Sequence, residues 1–188
     1  MPTLKIIIAS TRPSRKGPAM ATWIRDIAAS HADWTVELVD LAEVNLPIFD
    51  EVNHPIMQKY EHAHTKKWAA IVDSADAFII VLPEYNYSFN AAIKNAIDYL
   101  HKEWQYKPVS FVSYGGVSGG TRAVQMLKLV LTALKMVTIP EAVHIPFFTK
   151  FINEDGEFVG EEGLNKSASL MLTELQKWTT ALAPMRGK

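Results

Sequence analysis

Short apolar runs alternate along this chain with longer stretches in which apolar side chains recur every three or four positions. Leu4 to Ala9 is brief and rich in β-branched residues, and reads as a first strand. Ala19 to Ser30 sets Met20, Trp23, Ile24 and Ile27 on one face of a first helix. Thr35 to Leu41 reads as a second strand, Asn45 to Ile56 (with Pro47 and Pro55) as a loop, and Met57 to Ser74 as a second helix. The apolar run from Ala77 to Leu82 has the pattern of a strand buried on both faces, with Phe78 to Leu82 as its core. A third helix follows over Phe89 to Leu100, then a fourth strand over Val109 to Tyr114, a glycine-rich turn over Gly115 to Gly120 and a fourth helix over Thr121 to Leu134. Val143 to Ile145 reads as a short fifth strand, Asn153 to Glu157 as a turn, and Leu164 to Leu182 as a last helix.

Strands that alternate with helices imply right-handed βαβ units and a parallel sheet covered on both faces. Five strands and five helices suit an α/β three-layer sandwich with the flavodoxin-like strand order 2-1-3-4-5, formed by one domain over residues 1–188. In that order the topological switch point lies between the first and third strands, and ligands bind beyond the carboxyl ends of the strands there. The two most unusual loops of the chain follow those two strands, and the loop after the fourth strand lies beside them.

Composition narrows the chemistry. Cysteine is absent, which excludes disulfides, thiol catalysis and cysteine-ligated metals. The formal net charge of −1 gives no support for a general nucleic-acid or membrane surface. No apolar run is long enough to span a bilayer, and Met1 to Lys5 leads directly into a strand without a signal-peptide pattern, so a soluble cytoplasmic domain is expected.

The first loop, Ala9 to Pro18, concentrates hydroxyls with Arg12, Arg15 and Lys16 just before a helix N-terminus. Backbone N–H groups and the helix dipole favour an anion there, and an arginine fork matches phosphate oxygens. Neither the dinucleotide G-x-G-x-x-G pattern nor Walker A is present, and the cations suit a terminal phosphate better than a pyrophosphate. The same residues also read as a solvated basic turn. The second loop, Pro83 to Ser88, offers an acid, two tyrosines, an amide and a hydroxyl that suit the edge and face of a planar heterocycle; equally, Tyr85 and Tyr87 can simply pack on their neighbours. In the third loop, Ser113 to Thr121, four glycines permit close backbone approach and positive φ. A helix starting there would turn its positive end toward the same crevice, although a plain glycine hinge has the same composition.

The segments P-E-Y-N-Y-S (Pro83 to Ser88), K-N-A-I-D (Lys94 to Asp98), S-x-R (Ser10 and Arg12) and Y-G-G-x-S-G-G (Tyr114 to Gly120) resemble those of the NAD(P)H-dependent FMN reductases, the flavodoxin-like quinone, azo-dye and chromate reductases. The resemblance covers nearly the whole chain and weakens after about Ile145. It implies that Ser10, Arg12, Arg15, Gly17, Pro18 and Ala19 hold the FMN phosphate. By the same resemblance Pro83, Glu84, Tyr85, Asn86 and Tyr87 hold the ribityl chain and isoalloxazine, while Ser113, Tyr114, Gly115 and Gly116 line the far side of the ring with Ser118 close by. Many members carry serine in place of Arg15 and glycine in place of Ala9, so Arg15 either strengthens phosphate binding or points to solvent. The implied activity is ping-pong transfer of two electrons from NADPH or NADH, by way of flavin N5, to quinones, azo compounds, metal oxyanions or free flavin. Hydride transfer requires no catalytic triad, and none is assigned. A homodimer or homotetramer is implied, with Lys94 and Asp98 either at an interface or forming an exposed i,i+4 pair.

The remaining functional candidates are weaker. Trp104 and Tyr106 are placed to cap the acceptor site or an interface, while Trp23, Trp34, Trp68 and Trp178 read as core or interface anchors. His62 and His64 are two apart and are not expected to share a helical face, whereas Glu61 and His64 can meet at i,i+3 on the second helix. Rival functions are a flavodoxin-type electron carrier, disfavoured by the near-neutral charge and the cationic loop, and a non-catalytic FMN-binding redox sensor. A nucleotide hydrolase on the same frame lacks a visible metal-binding carboxylate set.

Overall fold

The computed structural model describes residues 1–31 and 34–187. Strands β1 (Thr3–Ile8), β2 (Thr35–Asp40), β3 (Ala77–Pro83) and β4 (Pro108–Gly115) form a parallel sheet in the order β2-β1-β3-β4. The fifth position of the sheet is shared by β5 (Val137–Thr138) and β6 (Val143–Pro146), both parallel to β4, which completes the expected 2-1-3-4-5 order. Pro140 lies between the two pieces, where a ladder donor is missing. The Ser110 hydroxyl donates to the Glu141 carbonyl at 2.5 Å and ties this interruption to β4.

Helices α1 (Gly17–Ser30) and α6 (Glu162–Leu182) cover one face of the sheet, and α3 (Ala63–Asp73), α4 (Ala91–Asp98) and α5 (Thr121–Ala133) the other. Each face has its own apolar cluster. Leu4, Ile6, Ile8 and Val81 point toward α1 and α6; Ile7, Phe78, Ile80 and Leu82 point toward Trp68, Ile93 and Leu127. Every residue of β3 is buried because both its faces are covered, which explains its uninterrupted apolar run. Among the described residues no helix is long and apolar enough to cross a membrane.

The element boundaries shift where side chains capture backbone groups. β2 stops at Asp40, whose carboxylate accepts the Ala42 N–H at 2.9 Å and caps the one-turn helix α2 (Leu41–Val44). The second long helix starts at Ala63 rather than Met57, because the buried Glu51 carboxylate accepts the Glu61 and His62 N–H groups at 2.9 and 3.0 Å and holds them ahead of the helix. Glu61 therefore does not reach His64 across a helical turn. Contrary to the expectation from spacing, the His62 and His64 rings stack, 5.1 Å apart and 10° from parallel, since His62 is not helical. Trp104 does not cap the site: it is buried against Trp68 and Phe78. Tyr106 precedes β4, at the opposite end of the sheet from the three loops.

Candidate functional site

The register brings the three polar loops together. Ile8 pairs with Val81, Pro83 pairs with Tyr114, and the Ala9 N–H extends the ladder to the Val81 carbonyl. The chain therefore leaves β1, β3 and β4 along one edge. A cleft of about 140 Å³ opens there, walled by Arg12, Arg15 and Lys16 of the first loop, Pro83, Glu84 and Tyr85 of the second, and Tyr114 and Gly115 of the third, with Phe148 at one side.

In the first loop Gly17 opens α1 with Pro18 behind it, the favoured arrangement for a helix start. A Cβ on Gly17 would lie 2.5 Å from the Ser10 hydroxyl oxygen and 3.1 Å from the Tyr114 hydroxyl, so only glycine allows the helix to sit this close. The Ser10 hydroxyl is fully enclosed yet has no hydrogen-bonding partner of good geometry. Burial pushes the neighbouring Tyr114 phenol up to about 12, and Ser10 and the arginine charges offset this only in part. Arg15 does not point to solvent. It forks onto Asp40 of β2 through two contacts of 2.5 and 2.6 Å and donates to the Ser10 carbonyl at 2.7 Å. Its charge is thereby matched within the protein, and these contacts tie the loop to β2. Among the described residues, Arg12 and Lys16 form no ion pair, and both are exposed. Pro18 and Ala19 lie instead on the wall of a wider groove between α1 and residues 155–160.

The second loop is a two-residue turn. Tyr85 and Ser88 exchange both backbone hydrogen bonds at 2.9 Å around Asn86 (φ 49°) and Tyr87 (φ 70°). Two left-handed central residues define a type I′ turn, which asparagine tolerates and tyrosine rarely adopts. The turn leaves Tyr87 69% exposed. Glu84 turns away from solvent. Its carboxylate accepts from the Ser118 hydroxyl (2.9 Å), the Arg122 N–H (3.2 Å) and Arg122 Nε (2.6 Å), and pairs with Arg122 Nη2. Burial alone would raise the Glu84 carboxyl, but the Arg122 and Ser118 hydrogen bonds and the Arg122 charge hold it below the ordinary carboxylate range.

In the third loop Ser113 does not line the cleft. Its hydroxyl, fully buried, donates to the Gly119 carbonyl at 2.7 Å and lies 2.7 Å from His144 Nδ1. With the single hydroxyl hydrogen committed to Gly119, the imidazole carries the proton on Nδ1 and donates to Ser113. Burial, and secondarily the charge of Lys128, lower the His144 pKa and favour the neutral ring. Gly116 is exposed in the same loop, and Ser118 is occupied with Glu84.

Two residues outside the expected set shape the site. The Asn90 side chain, buried at the start of α4, donates to the Ala9 carbonyl at 2.6 Å and joins the first loop to the second. Arg122 joins the second to the third. A cation in the first turn of a helix opposes the dipole, and that anomaly is the one mark the sequence carried for it. Asn90 carried none.

Glu84 makes the site sensitive to acid. A carboxyl with a depressed folded-state pKa adds stability above its unfolded value, near 4.3, and loses it as pH falls through the lower folded value. Urea denaturation at a series of pH values should show a loss below about pH 4.3 that is smaller in Glu84→Gln. Identical acid profiles for the two proteins would remove Glu84 from the acid response.

Comparison with known proteins follows the same lines. The family model for NADPH-dependent FMN reductase matches residues 2–150. The chain belongs to this family. It is similar to an NAD(P)H-dependent FMN reductase of Schizosaccharomyces pombe, 40% identical over 141 residues that span 74% of this chain and 70% of that one. It is also similar to an NAD(P)H-dependent FMN reductase of Saccharomyces cerevisiae, 35% identical over 80% of this chain and 84% of that one. Among solved structures, the flavoenzyme NAD(P)H:(acceptor) oxidoreductase of Paracoccus denitrificans superposes with a TM-score of 0.70 at 21% identity, covering 97% of both chains, and shares the fold. As an FMN reductase family member the protein is an oxidoreductase that uses FMN with NAD(P)H as electron donor.

Proposed function

We propose that the cleft at the ends of β1, β3 and β4 holds the phosphate end of FMN and that the flavin ring lies against the exposed second and third loops. The observation that carries this reading is a pair of cations, Arg12 and Lys16, that form no ion pair among the described residues, at the N-terminus of α1 beside the enclosed Ser10 hydroxyl, which lacks a partner of good geometry. The donor set fits a phosphate. The cleft volume of about 140 Å³ suits that group and part of its chain, while whole small-molecule pockets run to about 300–1,000 Å³. The ring therefore falls to Tyr85, Asn86, Tyr87, Gly115 and Gly116. Arg12 and Lys16 neutralise the phosphate, Arg15 braces the loop through Asp40, and Pro83 to Tyr85 present backbone groups along the wall.

When bound, FMN supplies the carrier chemistry, taking hydride from NAD(P)H and passing two electrons to a second substrate. The protein's part is position and field. The N-terminus of α5 directs positive potential toward the third loop, and the exposed aromatic turn leaves one side open to both substrates in turn, the ping-pong pattern. Quinones, azo compounds, metal oxyanions and free flavin are the acceptor classes such an open side admits. We further propose a homodimer or homotetramer in the cytoplasm. The loop over residues 45–58 leaves Ile48 89% and Val52 79% exposed next to α4, where the half-exposed Lys94–Asp98 pair at 2.6 Å offers a self-complementary patch.

An anaerobic titration of FMN-loaded protein with NADPH and then NADH tests the function. Stoichiometric two-electron bleaching of the flavin, reversed by a quinone, is the expected result. Bound flavin that neither nucleotide reduces would replace the enzyme reading with a carrier or sensor, and absence of FMN binding would remove it.

A further inference from the structure

The signature turn holds a conformation its own residues resist, and one side chain from another element restrains it. The Arg122 guanidinium stacks 3.8 Å from the centre of the Tyr87 ring, the residue at φ 70°. The same side chain donates through Nε to Glu84 at 2.6 Å and through Nη2 to the Ser118 hydroxyl at 3.1 Å, while its backbone N–H also reaches Glu84. Ser118 in turn donates to Glu84 at 2.9 Å. One planar cation thus grips both ends of the stretch Glu84 to Tyr87 and fastens it to the third loop.

We propose that Arg122 is a positioning residue for the cofactor, holding the type I′ turn and the Glu84 carboxylate in the arrangement that receives the flavin. The proposal rests on the FMN reading of the cleft. A tyrosine at left-handed φ is disfavoured relative to ordinary backbone, so the turn persists only where something else restrains it. Stacking and a forked hydrogen bond on neighbouring residues supply that restraint, and lysine reproduces neither, since its ammonium is a point charge without a plane. Glu84 borders the cleft, and its side chain is only 6% exposed. Without Arg122 its negative charge would face the flavin uncompensated and disfavour electron uptake there.

Two variants separate these parts. Arg122→Lys keeps the charge and loses the fork and the stack; Arg122→Gln loses all three. In the apo-protein, hydrogen exchange at the Tyr85 and Ser88 amides should accelerate about tenfold in both, and fluorescence titration should show FMN binding weakened about tenfold in both, a factor equivalent to about 1.4 kcal/mol. The midpoint potential of bound flavin should fall in Arg122→Gln but not in Arg122→Lys, and should recover in the double variant Glu84→Gln/Arg122→Gln. Unchanged exchange in both single variants would overturn the restraint. Faster exchange with unaltered FMN affinity and potential would reduce Arg122 to a structural clamp and overturn its positioning role. Wild-type protein that binds no FMN would instead defeat the reading of the cleft itself, and the positioning role with it. Should Arg122→Gln fail to fold, exchange and affinity in Arg122→Lys decide the matter alone.

Discussion

Gly120→Ala should destabilise the protein by about 2–5 kcal/mol and lower FMN affinity by at least about tenfold. Gly120 precedes α5 at φ 84°, and a Cβ built there would lie 2.8 Å from both the Ser113 Cβ and the Tyr114 backbone nitrogen. The left-handed conformation alone costs a non-glycine residue about 1–2 kcal/mol, and relieving the overlap adds about 1–3 kcal/mol. The neighbours cannot yield cheaply. Tyr114 N belongs to β4, and Ser113 is pinned between the Gly119 carbonyl and His144. Relief must come from the third loop moving outward, which withdraws Gly115 from the cleft and loosens the Ser118 contact to Glu84. Chemical denaturation of the apo-protein together with an FMN titration reads both effects. A variant with wild-type denaturation midpoint and wild-type affinity would show that the loop is not held as tightly as its packing implies.

How far the site was legible before the fold was known depends on which contacts are local. The largely apolar runs of β1, β3 and β4 gave the sheet, because a strand covered on both faces is apolar at most of its positions. The polar loops that follow them gave the position of the cleft. Arg15 shows where such reading stops. Its composition matches an anion site as well as Arg12 does, but its partner Asp40 lies 25 residues away and reaches it only through the parallel register that sets Ile8 beside Asp40. Ser113 likewise stands next to the cleft residues in the chain, yet strand alternation turns it to the side where His144 of β6 lies. The two histidines depart from the reading of their spacing for a related reason: Glu51, 11 residues before His62, holds the backbone ahead of α3 and delays the start of the helix to Ala63. Each of these errors is a long-range polar contact overriding a local pattern.

Trp68→Ala should cost roughly 3–5 kcal/mol and leave FMN binding nearly intact, which makes it the counterpart of the glycine substitution. Trp68 is fully buried on the face of α3 that meets α4, donates through Nε1 to the Ala96 carbonyl at 2.8 Å and packs edge-on to Trp104. Its removal opens a cavity and strands the Ala96 carbonyl, but the ring lies under α4 and lines no part of the cleft. A domain of this size loses about 2–4 °C per kcal/mol, so the apo-protein should melt about 10 °C lower. Ligand linkage then separates the two variants. FMN at one hundred times the wild-type Kd stabilises the folded state by about 2.7 kcal/mol if affinity is unaltered. Trp68→Ala should gain this full increment from its lower baseline, because it weakens the scaffold and not the site. Gly120→Ala should gain no more than about half of it, about 1.4 kcal/mol at a tenfold loss of affinity. Equal increments for both would mean that the third loop takes no part in holding the cofactor, and a small increment for Trp68→Ala would mean that packing beneath α4 sets the shape of the signature turn as strongly as the contacts around it.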